Sequence, residues 1–304
     1  MSRRPDADVP PGLLLVDKGA GMTSHDVVAR ARRALSVRKV GHAGTLDPMA
    51  TGLLILGVGA ATRLLGYVGG HDKTYEATIR LGQTTVTDDR EGEVLSTTST
   101  AGLEDAAIRT ALAAQTGPLQ QVPSSVSAVK VDGRRSYDRV RAGEEVELAP
   151  RSVTVHRLEV HRIDRPSPDL VDVDVTVECT AGTYVRAIAR DTGAALGVGG
   201  HLTALRRTAS GPFSVTAASP VEEAAATLTA GGGEGVLGLT EAATTVFALR
   251  PVSEEEARAL TYGQRIPASG VPGLHAAVDP DGRLVALVED AGSTARVAVG
   301  FPAA

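Results

Sequence analysis

Two stretches of strict alternation between apolar and polar residues constrain the fold of this 304-residue chain more than any other feature. From Val171 to Cys179 every second residue is apolar, and the stretch from Tyr75 to Leu81 follows the same rule. Successive side chains of a β-strand point to opposite faces, so each stretch predicts a strand with one buried face. Residues 103–115 and about 183–196 instead show helical periodicity. Long strands with irregularly placed helices predict an α+β fold with a mixed sheet, not repeated βαβ units.

The N-terminal part adds shorter signals. Residues 12–16 predict a buried strand, and Thr23 or Ser24 is expected to cap a helix that runs to about Leu35. The stretch 41–52 contains three glycines and a proline, which predicts a loop before a strand at Leu53–Val58. Further strand patterns occur at 152–162 and 204–215.

Composition suggests how the chain divides into domains. We expect a disordered segment at 1–11, a large α+β domain at 12–221, a linker region with one helix at 222–245 and a small β domain at 246–304. The first segment has three prolines and no apolar signal core, and no apolar run reaches the ~18 residues of a membrane span. A single cysteine suits a reducing compartment. We therefore expect a cytoplasmic protein without membrane attachment.

The charge is unevenly distributed. The formal net charge of −5 argues against a nucleic-acid partner, but residues 1–215 hold 26 Lys and Arg against 25 Asp and Glu. Residues 216–304 hold 5 against 11, so the excess of acid lies at the C-terminal end. Residues 30–39 are rich in arginine and lack any acidic residue. Such a patch could bind RNA, although a solvated helix face explains it at least as well from charge alone.

Several familiar binding motifs fail on inspection. Gly57-Val58-Gly59 resembles the start of a dinucleotide loop, but Thr62 stands where the third glycine belongs. There is no phosphate-binding P-loop, no nucleophile elbow and no HExxH spacing among the seven histidines. The motifs therefore favour neither a nucleotide cofactor nor a metal.

The stretch 41–54, GHAGTLDPMATGLL, carries the chemistry. Taken alone, Asp47-Pro48 in a glycine-rich loop is more often a turn, because Asp bonds nearby backbone and Pro fixes φ. A carboxylate nucleophile is the alternative, since flanking apolar strands could hold the loop rigid and a cation could keep the acid ionised.

This stretch closely resembles the catalytic motif of the TruB family of pseudouridine synthases. Four other segments resemble family motifs in the same order, and the likeness extends from about residue 12 to 215. They are Lys73-Thr74-Tyr75, Val126–Lys130 with Gly133 and Tyr137, Gly182–Arg186, and Leu205-Arg206-Arg207. Two departures are Gly19, where the family usually has Pro, and 123–126, which lacks the usual second Pro and aromatic residue.

The resemblance implies a role for each matching residue. Asp47 would be the nucleophile, or in the alternative mechanism the group that promotes glycosidic cleavage, and Arg186 would pair with it and lower its pKa. Tyr75 would stack on the uracil. Tyr184 and Leu205 would line the cavity, and His42 would fill the space left by the flipped base. Lys18 and Asp89 would support substrate binding, or alternatively form a surface salt bridge or turn. Contacts to RNA phosphates would come from Arg206, Arg207 and Lys130.

The resemblance also implies the architecture and the reaction. The expected fold is a pseudouridine synthase domain with a central, mainly antiparallel sheet, an RNA-binding excursion at about 123–147, and a PUA-like domain at 246–304. The expected reaction converts uridine 55 in the T loop of tRNA to pseudouridine after base flipping. Neither metal, cofactor nor protein partner is implied, and we expect a monomer. A noncatalytic tRNA-folding helper and a ribosomal RNA synthase in a guide-RNA particle remain the alternatives.

Overall fold

The computed structural model describes residues 9–124 and 149–301, together with the backbone of 130–131 and 134–135. Most of the expected disordered segment at 1–11, and most of the expected excursion at 123–147, therefore lie outside the described residues.

Nineteen strands occur in the described part of the chain. They are β1 Gly12–Lys18, β2 Val40–Ala43, β3 Thr51–Val58, β4 Lys73–Leu81, β5 Gln83–Thr85, β6 Val94–Thr97, β7 Gly117–Gln121, β8 Lys130–Val131, β9 Arg134–Arg135, β10 Arg151–Ser167, β11 Leu170–Cys179, β12 Gly200–Ser210, β13 Phe213–Ser214, β14 Val236–Gly238, β15 Ala248–Pro251, β16 Ile266–Pro267, β17 Leu274–Val278, β18 Leu284–Ala291 and β19 Thr294–Gly300.

Seven α-helices accompany the strands in this part of the chain. They are α1 Ser24–Leu35, α2 Leu65–Val68, α3 Asp105–Ala113, α4 Val185–Ala195, α5 Val221–Thr229, α6 Leu239–Val246 and α7 Glu254–Thr261. Two short 3-10 segments lie at Gly59–Leu64 and Val215–Ala217. None of the helices in the described ranges is long and apolar enough to cross a membrane.

The main sheet has ten strands, with a path β14-β1-β3-β12-β4-β11-β10-β7 and with β2 and β13 attached to β3 and β12. Only the β3–β12 pairing is parallel, and every other strand pairing in this sheet is antiparallel. The predicted mixed, mainly antiparallel sheet is thus confirmed. The neighbouring strands β4 and β11 are the ones with alternating sequences, and the even spacing of buried residues along both follows that pattern.

The first strands of the sheet are buried on both faces. Leu14 and Val16 of β1 belong to the core under α1, α4 and α5, whereas Leu13 and Leu15 face the opposite core. That second core also contains Leu287 and Phe301 of the C-terminal part. The five strands β15-β17-β18-β19-β16 and helix α7 form this part, which shares that core with the main sheet and contacts helix α6.

The segment at 222–245 is not a linker. It forms α5, β14 and α6, and β14 pairs with β1, opposite Leu13 and its neighbours. In α5, Val221, Ala224, Ala225 and Leu228 are all buried, at the i, i+3, i+4, i+7 spacing of one helix face. The segment is part of the fold, with one helix face buried and the other exposed, so its lack of lysine and arginine did not mark a linker.

Candidate active site

The loop that carries Asp47 joins β2 to β3, so the expected loop at 41–52 is shorter than predicted and begins after Ala43. The Ser24 hydroxyl, at the start of α1, accepts from Leu46 N at 2.9 Å and donates to Leu46 O at 3.2 Å. On the other side, Gly21 N donates to Pro48 O at 2.9 Å. These contacts fix the backbone on both sides of Asp47.

Lys18 also holds the loop that carries Asp47, through bonds to backbone oxygens. Its ammonium group donates to the backbone oxygens of Met22 at 2.7 Å, Gly19 at 3.0 Å and Pro48 at 3.2 Å. Burial lowers the pKa of Lys18 to about 8, while the nearby Asp47 carboxylate acts in the opposite direction. Its side chain is not among those lining the cavity described below. Lys18 therefore supports the loop, and its predicted contact with substrate does not fit this position.

Arg186 grips Asp47 with two parallel contacts. Its Nε lies 3.0 Å from one carboxylate oxygen of Asp47, and its Nη2 donates to the other at 3.1 Å. The remaining nitrogen, Nη1, donates to Thr87 O at 2.7 Å and lies 3.5 Å from Asp89. Arg186 is only 4% exposed, whereas the side chain of Asp47 keeps 34% of its surface open. The acid is thus oriented by a buried fork and still reachable.

The pKa of Asp47 is shifted upward, whereas the family resemblance implied a downward shift caused by Arg186. Burial raises the pKa of the Asp47 carboxyl above its usual range, and neighbouring Asp89 adds to this rise. Arg186 and Lys18 both pull the pKa back down without reversing the shift. Water stabilises the charged form of this carboxylate less than that of an exposed one, so the group is more basic.

A cavity of about 450 Å³ opens beside this pair. Its volume lies within the usual range for small-molecule sites and accommodates a nucleobase with part of its ribose. The lining residues are Gly44, Thr45, Leu46, Asp47, Gly69, Lys73, Tyr75, Arg151, Gly182, Thr183, Tyr184, Val185, Arg186, Leu205 and Arg207. The structure thus brings six of the predicted site residues to one cavity: Asp47, Tyr75, Tyr184, Arg186 and Leu205, together with Arg207, which was expected to contact RNA instead.

The sheet supplies one wall of the cavity. Strands β4 and β12 are paired so that Tyr75 lies opposite Arg207 and Ala77 lies opposite Leu205. Tyr75 is 7% exposed, and burial raises the pKa of its phenol, which therefore stays protonated at neutral pH. A flat aromatic ring and a branched aliphatic side chain in one wall suit contact with the face of a base.

Arg207 belongs to the cavity wall rather than to an RNA-facing surface. It is 1% exposed, and its Nε and Nη2 donate to Leu53 O at 2.7 Å and Gly44 O at 2.9 Å. Gly44 has φ +76°, and a Cβ there would lie 3.2 Å from Nη1 of Arg207. The prediction that Arg207 contacts RNA phosphate is therefore wrong, because its guanidinium is buried and bonded to backbone oxygens of strand β3 and of the loop that carries Asp47.

The other predicted residues lie outside the cavity lining. Arg206 forms a two-contact salt bridge with Asp17, at 2.7 and 3.0 Å. His42 lies on β2 with its ring 5.3 Å from that of His25. Asp89 is 3% exposed and lies behind Arg186, so it is placed to support the site rather than to touch substrate. The side chain of Lys130 lies outside the described residues.

Three residues near the cavity had no predicted role. Lys73 is 7% exposed and donates to Gly69 O and His71 O, and a lysine at an inward position of an alternating strand was the available signal. Arg151 is exposed at the cavity edge, and nothing in the sequence distinguished it from other surface arginines. Gln121 is buried behind Tyr184. Within the described ranges no three His, Cys, Asp or Glu residues cluster as a metal site would require.

Comparison with known proteins gives a consistent result over most of the chain. Residues 32–185 match a family model described as TruB family pseudouridylate synthase (N terminal domain). Residues 186–231 match a tRNA pseudouridylate synthase B C-terminal domain, and 247–302 match the model tRNA Pseudouridine synthase II, C terminal.

Individual relatives carry the same description. A protein called tRNA pseudouridine synthase B from Paenarthrobacter aurescens is 55% identical over 300 residues, which cover 95% of this chain and 94% of that protein. One of the same name from Thermobifida fusca is 53% identical over 293 residues, 95% and 98% of the two chains. Among solved structures, a chain in a Cbf5-Nop10-Gar1 complex superposes with a TM-score of 0.70 at 26% identity, covering 96% of this chain and 84% of that one.

Proposed function

We propose that this chain, which belongs to the TruB family of tRNA-modifying pseudouridine synthases, converts uridine 55 of the T loop to pseudouridine with Asp47 as the nucleophile. The single observation that carries this proposal is the two-contact grip of Arg186 on Asp47 at a cavity of about 450 Å³. A charged, oriented and accessible carboxylate beside a space for a base is what displacement at a nucleoside requires.

The proposed chemistry needs no external reactant. Asp47 attacks the ribose carbon and the bond to uracil N1 breaks, or the acid promotes that cleavage in the alternative mechanism. The free uracil rotates within the cavity and rejoins the ribose through C5, and where Asp47 has bonded to the ribose carbon this step breaks that bond and releases the carboxylate. C5 loses a proton and N1 gains one, so the product is an isomer of the substrate. Tyr75 and Leu205 hold the detached base, because a base released to water would not rejoin.

Access to the base requires it to leave the T loop. A stacked uridine cannot reach a carboxylate beside a cavity, so we propose that the nucleotide is flipped out at a cost of about a few kcal/mol. His42 on β2 and its partner ring His25 on α1 lie next to the loop of Asp47, where they could fill the vacated space. The exposed cations of residues 30–39, which include Arg33 and Lys39, are proposed contacts for the phosphates of the T arm.

Tritium release from tRNA labelled at uridine C5 tests the nucleophile. Wild type should release label, and Asp47→Asn should lose turnover by on the order of 10⁴-fold, because an amide cannot act as the nucleophile. RNA binding should persist in the variant. A normally active Asp47→Asn enzyme would refute the assignment. Retained binding without any turnover in wild type would favour the folding helper instead.

Use of an unmodified tRNA transcript tests the substrate and partners. We propose that the purified chain acts alone, as a monomer, on the T arm. A transcript and an isolated T stem-loop should both be modified at position 55 without added protein or guide RNA. Activity that appears only with a guide RNA or partner protein would favour a particle like those named for the structural relatives.

A further inference from the structure

Residues 121–124 contact the first turns of α4 at three points, and we call them the 121–124 clasp. The Gln121 side chain accepts from Tyr184 N at 2.9 Å and donates to Tyr184 O at 3.2 Å. The backbone oxygen of Val122 accepts from Arg190 at 2.9 Å. Ser124 accepts from Nη1 of Arg186 at 3.4 Å and donates to Thr87 O at 3.2 Å.

Gln121 supplies a hydrogen-bond acceptor for a backbone N–H group at the start of α4. No side chain caps this helix from its own N-cap residue, Tyr184. A helix start leaves backbone N–H groups without intrahelical acceptors, and a buried one without a partner costs about 1 to 3 kcal/mol. The Gln121 amide satisfies Tyr184 N and also bonds Tyr184 O, which accepts Ala187 N at 3.0 Å in the first helical bond.

The amide of Gln121 has one defined orientation. The residue is 2% exposed, so water cannot replace a lost hydrogen bond, and both of its polar atoms are satisfied by the same residue of α4. Paired contacts from one planar group fix direction as well as distance. Tyr184 therefore cannot shift along or rotate about the helix axis without breaking them.

Two of the residues fixed in this way belong to the cavity. Tyr184 lines it directly, and Arg186 is two positions further along α4. Ser124 contacts the Nη1 of Arg186, the nitrogen that does not bind Asp47. The 121–124 clasp thus holds the guanidinium from the side opposite the carboxylate, while Asp47 is fixed by its own loop.

We propose that Gln121 is a positioning residue that sets the fork of Arg186 on Asp47 through the start of α4. This inference rests on the proposed roles of Asp47 and Arg186. A misplacement of about 1 Å at a reacting group can cost on the order of 10²-fold in rate, which makes such a distant support kinetically visible. A purely structural Gln121 would affect only how much enzyme is folded.

The test compares Gln121→Met with Gln120→Met. The first keeps the side-chain length and removes both bonds to Tyr184, whereas the second changes the exposed neighbour, whose amide donates to Ser152. Both are assayed on a tRNA transcript across pH. For Gln121→Met we expect kcat to fall about 10- to 100-fold with little change in KM. We also expect the acid limb of the pH profile to move up, because a displaced Arg186 no longer offsets the burial of Asp47. Gln120→Met should match wild type.

A double variant supplies a second readout. If Gln121 acts through Arg186, Gln121→Met should cost little more in an Arg186→Lys background, since coupled residues are not additive. An unchanged kcat and acid limb in Gln121→Met, or full additivity with Arg186→Lys, would overturn the proposal. Should Gln121→Met fail to fold, Ser124→Ala removes the contacts of the Ser124 hydroxyl to Arg186 and to Thr87 O, and an unmoved kcat and acid limb there would count equally against the clasp.

Failure of the inference can be told from failure of the proposed function. If Asp47→Asn is inactive while Gln121→Met resembles wild type, only the clasp is refuted. If Asp47→Asn retains turnover, the assigned nucleophile is wrong whatever the Gln121 variant does.

Discussion

Two buried arginines line the same cavity, one on helix α4 and one in strand β12, and they serve different ends. Arg186 directs two nitrogens at the carboxylate of Asp47, whereas Arg207 directs two at the backbone oxygens of Leu53 and Gly44. They are 4% and 1% exposed. Similar burial therefore does not imply a similar role. The partner decides whether the charge acts on the proposed nucleophile or on the backbone around it.

The largest effect on turnover is expected for Arg186→Lys, which tests whether Arg186 acts on Asp47 through its geometry. A lysine keeps the charge but cannot reproduce a planar two-contact grip, so kcat should fall about 10²-fold. Unfolding in urea should change much less than turnover does. Steady-state assays on a tRNA transcript measure the first quantity. Turnover close to wild type would show that charge alone suffices and that the fork geometry is unimportant.

Arg207→Met should show the opposite profile. It leaves Leu53 O and Gly44 O without their donor in a buried place, which should lower the free energy of unfolding by about 2 to 4 kcal/mol. Loss of activity should follow loosening of the loop and be smaller than in Arg186→Lys. Urea denaturation monitored by circular dichroism checks this. A stability equal to wild type would contradict the structural role.

The pH profile sharpens the role of Arg186. Because burial raises the pKa of Asp47, activity that needs the carboxylate should be lost as pH falls through a value above the ordinary ~3.9, tenfold per pH unit below it. Arg186→Lys should shift this limb upward. Asp17→Asn, which alters a carboxylate that pairs with Arg206 outside the cavity, is the control and should leave the acid limb unmoved. A limb at or below ~3.9 in wild type would refute the raised pKa.

The smallest effect is expected at Arg206, the neighbour of Arg207. Its salt bridge with Asp17 has contacts as short as those of Arg186, but the two side chains are 37% and 32% exposed. Partly exposed pairs typically contribute about 0 to 1 kcal/mol. A double-mutant cycle with Arg206→Gln and Asp17→Asn should give a coupling within that range. A larger coupling would show that exposure is a poor guide to the roles of these arginines.

The sequence predicted the parts of the fold that depend on local periodicity. The alternating strands β4 and β11 and the capped helix α1 follow directly from their patterns, and Thr23 with Asp26 forms the capping box at its start. It failed where burial depends on distant partners. Residues 222–245 look like a linker until β1 and α1 are placed beside them.

The candidate site shows the same division. Motif resemblance assembled Asp47, Tyr75 and Arg186 correctly in one cavity, but it could not tell a buried Arg207 from an exposed Arg206. Adjacent residues on a strand point to opposite faces, and which face is buried depends on the whole sheet. The sequence did not indicate a role for Gln121, because its side chain bonds to the backbone of Tyr184, and almost every residue carries the same backbone groups.

The pairing of β14 with β1 bears on the order in which the molecule can assemble. Leu13 finds its partner in Leu237, more than two hundred positions later. During synthesis, the first strand must therefore wait with one edge open until three quarters of the chain has left the ribosome. Such remote closure slows folding and leaves an unpaired edge open to misassociation. Newly made chains should depend on protection at that edge more than their finished stability would suggest.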